Sequence, residues 1–393
     1  MIYYNRNQLE YNSLVNYMNK KSISIVSNNF WTIYKFRYDI VKLLVQNGYH
    51  INLLAGEDTY IEKFHDPNIT IVKIPINDRG MNLIQEINTF RKIYLTHKNL
   101  QPDLVFNFTL KPNIYSSLVC RYLDIPYICM ITGLGHAFIS GKNIVKRLVS
   151  FLLLHSLKKS LEVWFTNNFD KAYFQENKIV SNQCIKIIPG AGAVFPEVET
   201  EYRHYDSSIT FVMVARLLKE KGVEEYLSTA IQFSTIFKKD IDRKNIKFIL
   251  IGSHKNNNNY VSKGLLENLI NKNIIQYEKY TDHISDVLEK ADCIILPSYR
   301  EGMSTILLEA AVQKIPIITS EVPGCIDIVP DESYGTLCKP ANTASLLNAI
   351  CRFLKLDEET LRSQTLKTYD HVKNNYNRHK VFEAYEQTLK YIE

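Results

Sequence analysis

Nowhere in the 393 residues does an apolar run approach the roughly 20 residues needed to cross a bilayer as a helix. The longest, 148–154, is interrupted by Ser150 and followed by His155. The opening stretch, MIYYNRNQLEYNSLVNYMNKK, lacks the apolar centre and small-residue cleavage site of a signal peptide, so a cytoplasmic chain is expected. There is no CxxC pair either. The seven cysteines (Cys120, Cys129, Cys184, Cys293, Cys325, Cys338 and Cys351) therefore suggest neither a zinc ribbon nor a disulfide frame, and read as reduced core residues. HExxH, Walker A, GxSxG and zinc-ligand spacings are all missing, which removes the commonest hydrolase and NTPase readings. No basic run carries interleaved aromatics, so a nucleic-acid partner is not expected. No repeat of fixed period is present, and the Asn run at 256–259 reads as a loop.

What is there is ordinary for a globular protein: 46% hydrophobic and 22% charged residues, with a net charge of +6. So small an excess suits anionic substrates or an anionic membrane surface as well as it suits scattered solvated faces. The length calls for two domains of roughly 150–200 residues.

Apolar runs and helical periods alternate along the chain. Strands are expected at 22–28, 50–56, 69–75, 103–108, 127–132, 163–167 and 185–189, with helices between most of them, one over 34–47 ending at Gly48. The stretch PGAGAVFPEVETEYRHYDS (189–207) has no sustained period and reads as a linker. A second series follows: strands at 209–215, 247–253, 274–279, 293–298 and 315–320, helices at 222–237, 261–272, 282–291 and 304–313, and late helices from Thr343 onward. Such alternation predicts an α/β chain with two mainly parallel, doubly wound sheets. The divisions are a polar leader (1–21), a first domain (22–190), a linker (191–207), a second domain (208–370) and a C-terminal helix (371–393).

Two segments of the second domain carry chemistry. In PSYREGMSTILLEAAVQKIPIITSEVPGCIDIV (297–329), a strand end is followed by Glu301 and Gly302, then by a helix holding Glu309. Were 301–309 helical throughout, the two carboxylates would lie about 12 Å apart along the axis and roughly 80° around it, suited to different parts of one extended ligand. The amides of Met303, Ser304 and Thr305 at the helix start would favour a phosphate. In VARLLKEKGVEEYL (214–227), Arg216 follows a strand and Lys221 precedes a helix, placing two cations at the carboxyl edge of the sheet. Each segment alone is also compatible with a solvated loop.

Together they are specific. PSYREGMSTILLEA resembles the E-x7-E signature of family 4 of the retaining glycosyltransferases, with Glu301 and Glu309 at its carboxylate positions. ARLLKEKGVEEYL is similar to that family's R-x4-K-G element, with Arg216 and Lys221 in the matched places. The resemblance covers most of 22–380. It implies a GT-B fold, two Rossmann-like domains facing a central cleft, with the C-terminal helix returning to the first. By the same resemblance, Arg216 and Lys221 neutralise the diphosphate of a UDP-sugar donor, Glu309 holds its ribose, and Glu301 contacts the transferred sugar without acting as a double-displacement nucleophile. Gly252 stands where the family has a glycine beside the donor phosphates, although Ser253 and His254 replace the usual continuation. No metal or other cofactor is implied.

In the first domain, ITGLGHAFISG (131–141) resembles the loop facing the donor sugar in members that build bacterial surface polysaccharide, with Gly133 and Gly135 as donor contacts and His136 in a catalytic place. A structural hydrogen bond is the other reading of His136. NNFWTIYKFR (28–37) replaces the glycine-rich first loop of many relatives, which makes Asn29, Tyr34 and Arg37 candidate acceptor contacts. KNIVKRLVSFLLLHSLKKS (142–160) has cationic ends around an apolar centre. It reads either as a helix at an anionic membrane surface or as a core helix with basic ends. The first of these would suit a polyprenyl-diphosphate-linked glycan acceptor at the inner face of the cytoplasmic membrane. Asp240, Ile241 and Asp242 spell a DxD, but among lysines in a helix-to-strand connection they read as a solvated turn. A nucleotide-sugar 2-epimerase and a non-catalytic sugar-nucleotide-binding protein share the architecture and are the alternatives.

Overall fold

The computed structural model describes residues 20–76, 82–133, 143–180, 184–198, 202, 208–236, 245–254 and 260–393. Contacts divide the chain into two units, Met1–Ala191 with Val381–Glu393, and Gly192–Lys380.

The first unit runs β1 (Ser22–Asn29), α1 (Phe30–Gln46), β2 (His50–Gly56), β3 (Ile69–Lys73), α2 (Leu83–Leu100), β4 (Leu104–Phe108), α3 (Leu110–Leu123), β5 (Tyr127–Ile131), α4 (Asn143–Leu157), β6 (Glu162–Phe165), α5 (Asn168–Glu176) and β7 (Cys184–Ile187). The strands form one seven-stranded parallel sheet in the order β3-β2-β1-β4-β5-β6-β7. Its central strands are apolar on both faces because helices cover both. One face holds Ile25, Phe106 and Trp164; the other holds Val105, Cys129 and Leu157. Asparagine ends several loops here by capping helices: Asn29 accepts from the Thr32 amide, Asn82 from Ile84 and Asn167 from Asp170.

The second unit runs β8 (Ser208–Val214), α6 (Val223–Ile236), β9 (Asn245–Gly252), α7 (Lys263–Asn271), β10 (Gln276–Lys279), α8 (Ile284–Glu289), β11 (Cys293–Leu296), α9 (Thr305–Val312), β12 (Ile317–Ser320), β13 (Thr336–Cys338), α10 (Thr343–Phe353) and α11 (Glu358–Asn375), and the chain ends in α12 (Arg378–Leu389). Its sheet is also parallel, in the order β10-β9-β8-β11-β12-β13. The three residues of β13 were not expected from the sequence, since so short a run shows no period.

Most of α12 belongs with the first unit, where Tyr385 is fully buried between Phe106 and Trp164, at ring distances of 4.9 and 4.8 Å. Beyond it, the Tyr391 hydroxyl donates to buried Glu162 at 2.9 Å, which also receives Lys186 at 2.9 Å and the Trp164 indole N–H at 2.6 Å. A buried carboxylate needs that many donors to offset its lost hydration.

Candidate active site

In an open parallel sheet, ligands bind beyond the carboxyl ends of the strands where the winding reverses. In the second unit that point lies between β8 and β11. The segments leaving these two strands are the two that the sequence singled out.

After β8 the chain runs through Arg216 into a 3₁₀ turn, Lys219–Lys221, that ends at Gly222 with φ +73°. Leu217 and Leu218 anchor this turn: both are buried, Leu217 donates to the Ser253 carbonyl and accepts from Val261, and Leu218 bridges Tyr260. Between these anchors and the strand, Arg216 is left exposed, its side chain without a partner among the described residues. A Cβ on Gly222 would lie 2.1 Å from the Pro297 carbonyl oxygen, so only glycine lets α6 start against the end of β11. Gly252 has a similar reason, since a Cβ there would meet the Ala215 oxygen at 1.8 Å. His254, a departure from the family pattern, bonds the Val261 carbonyl at 2.7 Å and holds the loop after β9.

After β11, the Tyr299 amide donates to the Glu220 carbonyl and its hydroxyl to Glu225 at 2.7 Å, stitching the two segments together. Burial, and then that bond to a carboxylate, push the Tyr299 phenol up, so it stays a proton donor. The consequence is the central contact of the site. Lys221 Nζ reaches Glu301 Oε1 and Oε2 at 2.6 and 2.7 Å, and the Ser298 hydroxyl donates to the same Oε1 at 2.6 Å. Only 18% of the Lys221 side chain and 10% of the Glu301 side chain are exposed. Beneath them, burial and then the Glu301 charge push the Cys325 thiol up, which keeps it neutral.

The α9 helix does not include Glu301, as it starts four residues later at Thr305. Glu301 therefore stands on the loop before the helix, as its place between a strand end and the helix at 304–313 led one to expect, so the spacing of a continuous helix does not apply; proline and glycine around 297–302 hold this stretch as a loop, and Glu309 lies half-buried on the second turn of α9. Ser304 caps the helix with no side-chain bond, and the amides of Met303, Ser304 and Thr305 have no acceptor among the described residues. An exposed arginine, a lysine and a row of unsatisfied amides at one sheet edge make a site for an anion. Among the described residues no group of three or more His, Cys, Asp or Glu is placed to hold a metal ion.

The sequence did not point to Ser298 or Gly324. Ser298 is fully buried and its carbonyl accepts from Ser320, so it ties Glu301 to β12. Gly324, at φ +80°, lies so close under Glu301 that a Cβ would meet its backbone at 2.7 Å. The only advance signal was the glycine in EVPGC, a residue that suits a positive φ.

In the first unit, Gly133 follows β5 at φ +138°, whereas Gly135 and His136 lie outside the described residues, as does the DxD at 240–242. The structure gives each of the three acceptor candidates a contact of its own within the first unit. Asn29 caps α1, accepting from both the amide and the hydroxyl of Thr32 at 2.9 and 2.6 Å. Tyr34 packs in a cluster with Tyr38, Tyr60 and Phe64. Arg37 is 5% exposed, with its guanidinium 4.7 Å over the Phe108 ring and bonded to the Phe36 carbonyl and Met130 sulfur. Helical periodicity alone did not show that α1 begins at Phe30 and turns Arg37 inward. At the reversal point of this sheet, Thr109 takes φ +69°, an unfavourable backbone for a β-branched residue and one that marks functional positions.

Residues 194–370 match the family described as glycosyl transferases group 1, and 22–167 match glycosyl transferase 4-like. The chain is 27% identical over 361 residues (88% of it, 92% of the relative) to N,N'-diacetylbacillosaminyl-diphospho-undecaprenol alpha-1,3-N-acetylgalactosaminyltransferase of Campylobacter jejuni. It is 24% identical over 348 residues (86% and 87%) to UDP-Gal:alpha-D-GlcNAc-diphosphoundecaprenol alpha-1,3-galactosyltransferase of Escherichia coli. Among solved structures, Anabaena HepE in complex with UDP and glucose superposes with a TM-score of 0.73 at 13% identity, covering 94% of this chain and 99% of that one. With a group 1 domain and a 4-like domain matched in order along two parallel-sheet units, the chain belongs to the glycosyltransferases of GT-B fold.

Proposed function

We propose that the chain is a retaining, metal-independent glycosyltransferase that passes a hexose or N-acetylhexosamine from a UDP-linked donor to a polyprenyl-diphosphate-linked glycan in bacterial surface-glycan synthesis. The observation that carries this reading is the Lys221–Glu301 contact at the reversal point of the second sheet, beside Arg216 and the open start of α9. Charge builds up on the departing diphosphate in the transition state. Fixed cations and amides at that place stabilise it without reorganising, the work a divalent metal does elsewhere. Arg216 and Lys221 take the diphosphate together with the amides of Met303, Ser304 and Thr305, close to Gly252 and Gly302. Glu309 binds the ribose and Glu301 orients the sugar through its hydroxyls, and the resemblance assigns Gly133 and Gly135 as further donor contacts and His136 a catalytic role. The acceptor attacks the face that the leaving phosphate vacates, and that phosphate takes the acceptor's proton. The sugar–phosphate bond breaks, a new glycosidic bond forms, and the configuration is kept.

Support for the donor and acceptor comes from the two relatives, which are named for transfer to diphospho-undecaprenol-linked sugars, and from the UDP bound by a structural neighbour. The test is nucleotide release from UDP-, GDP- and ADP-sugars in EDTA, with and without polyprenyl-linked glycan, followed by anomeric analysis of the product. Acceptor-dependent UDP release with an α-linked product from an α-donor is expected. Donor binding without acceptor-dependent release, or a product of inverted configuration, would overturn the proposal.

A further inference from the structure

We infer that Asp327, held from α11 by His371 and Tyr376, is a positioning residue for Glu301. Its effect on turnover rests on the transferase reading; the placement of Glu301 does not.

Glu301 stands on a loop, and that loop rests on another. Residues 322–329 follow β12 as a run of turns, in which Cys325 and Ile326 donate to the Val322 carbonyl, and Ile328 and Val329 to that of Cys325. Val322, Cys325, Ile328 and Val329 are buried and fix the inner side of this run in the core of the second unit. Its outer corner touches Glu301 twice. The Glu301 amide donates to the Pro323 carbonyl at 3.3 Å, and Gly324 lies close enough that a Cβ would meet the Glu301 carbonyl oxygen at 2.7 Å. The main chain of Glu301 is therefore only as well placed as residues 323 and 324.

Asp327 sets that corner. Its Oδ2 accepts from the Gly324 amide at 2.8 Å, three residues back, as the last residue of a capping box does. Its carbonyl receives two donors from the end of α11, the Tyr376 hydroxyl at 2.7 Å and His371 Nε2 at 2.9 Å. A carbonyl only accepts, so Nε2 carries the proton, and Nδ1 is left to accept from Asn375 Nδ2 at 3.2 Å. The imidazole also packs edge-on against Tyr334 and Tyr376, at ring distances of 5.4 and 5.5 Å. Burial, and then the Asp327 charge, push the Tyr376 phenol up to about 12, so it stays a donor. Tyr376 is anchored in turn, because its carbonyl accepts from the Ala193 amide at 2.7 Å.

A connection whose only task is to join β12 to β13 tolerates slack. Three directed bonds on one half-buried residue remove it instead, and they do so at the corner that carries Glu301. A group that orients a reacting sugar needs such support, since displacement by a fraction of an ångström already costs rate.

Hydrogen exchange of the free chain, read by mass spectrometry on a peptide spanning 299–304, tests the placement with no donor or acceptor present. A peptide from β9 controls for general loosening. Asp327→Ala should speed exchange at 299–304 by about ten-fold and Tyr376→Phe by less, with β9 at the wild-type rate in both. Nucleotide release then tests the consequence. In Asp327→Ala, kcat should fall about ten-fold at an unchanged donor KM. Asp327→Asn, whose amide oxygen still accepts from Gly324, should recover it. In a Glu301→Gln background, Tyr376→Phe should cost nothing further, because it acts through Glu301. Unchanged exchange in both variants, an asparagine variant as slow as the alanine one, or a Tyr376→Phe loss that multiplies with that of Glu301→Gln would overturn the inference. A wild-type chain that releases no nucleotide would overturn the transferase reading alone, and the exchange rates would still decide the placement of Glu301.

Discussion

Lys221 and Glu301, 80 residues apart in sequence, meet through one ammonium and both carboxylate oxygens at 2.6 and 2.7 Å. The pair is largely desolvated, so removing either partner leaves a charge without its match. Lys221→Ala and Glu301→Gln should each lower kcat by about 10²–10³-fold. In denaturant unfolding the two single losses should exceed the loss in the double variant, with a coupling of about 0.5–3 kcal/mol. Additive losses, or near-wild-type turnover in both variants, would show that the contact is incidental.

Ser298 tests whether the orientation of Glu301 matters apart from its charge. Its hydroxyl donates to Glu301 at 2.6 Å, and its main chain is tied to β12 through Ser320. Ser298→Ala should cost about 1 kcal/mol in stability. It should lower kcat several-fold at an unchanged donor KM, since the charge on Glu301 stays while its aim loosens, and Ser298→Thr should restore part of kcat. A wild-type kcat in the alanine variant would remove Ser298 from the site.

Gly324 should be intolerant for a backbone reason. At φ +80° it meets the Glu301 main chain, and an alanine Cβ would fall within 2.8 Å of three Glu301 atoms. Gly324→Ala should destabilise the chain by about 1–3 kcal/mol and lower activity further by displacing Glu301. Thermal unfolding together with donor turnover checks both effects; an unshifted melting temperature would show that the loop relaxes freely.

Much of the fold was legible because parallel strands buried on both faces tend to be apolar runs, as β5 (YICMI) is in the first sheet, whereas the edge strands β3 and β7 carry Lys73 and Lys186 and are less buried. The charged residues of the candidate site were legible as well, since Arg216, Lys221, Glu301 and Glu309 stand in fixed spacings along the two segments that leave β8 and β11. What escaped depends on tertiary contact. Ser298 matters only because β12 lies next to β11, and Gly324 only because its loop folds under Glu301. Arg37 reads as a polar surface residue until α1 turns it against Phe108. The three residues of β13 become a strand only by pairing with β12.

His97 gives the chain a built-in sensitivity to acid that is independent of the site. It is fully buried on α2 with Nε2 bonded to the Ser116 hydroxyl at 2.9 Å, while Nδ1 has no partner among the described residues. Burial lowers its pKa from 6.5 to about 4. The unfolded chain therefore takes up a proton near pH 6.5 while the folded chain does not until about pH 4. Stability is full above 6.5 and falls through that window, by about 3 kcal/mol in all. His97→Gln, which has no proton to gain, should flatten this part of the curve of unfolding free energy against pH. It should cost some stability at neutral pH through imperfect packing. If the variant keeps the wild-type slope between pH 6.5 and 4, the acid sensitivity resides in other groups and the imidazole is not held neutral by burial.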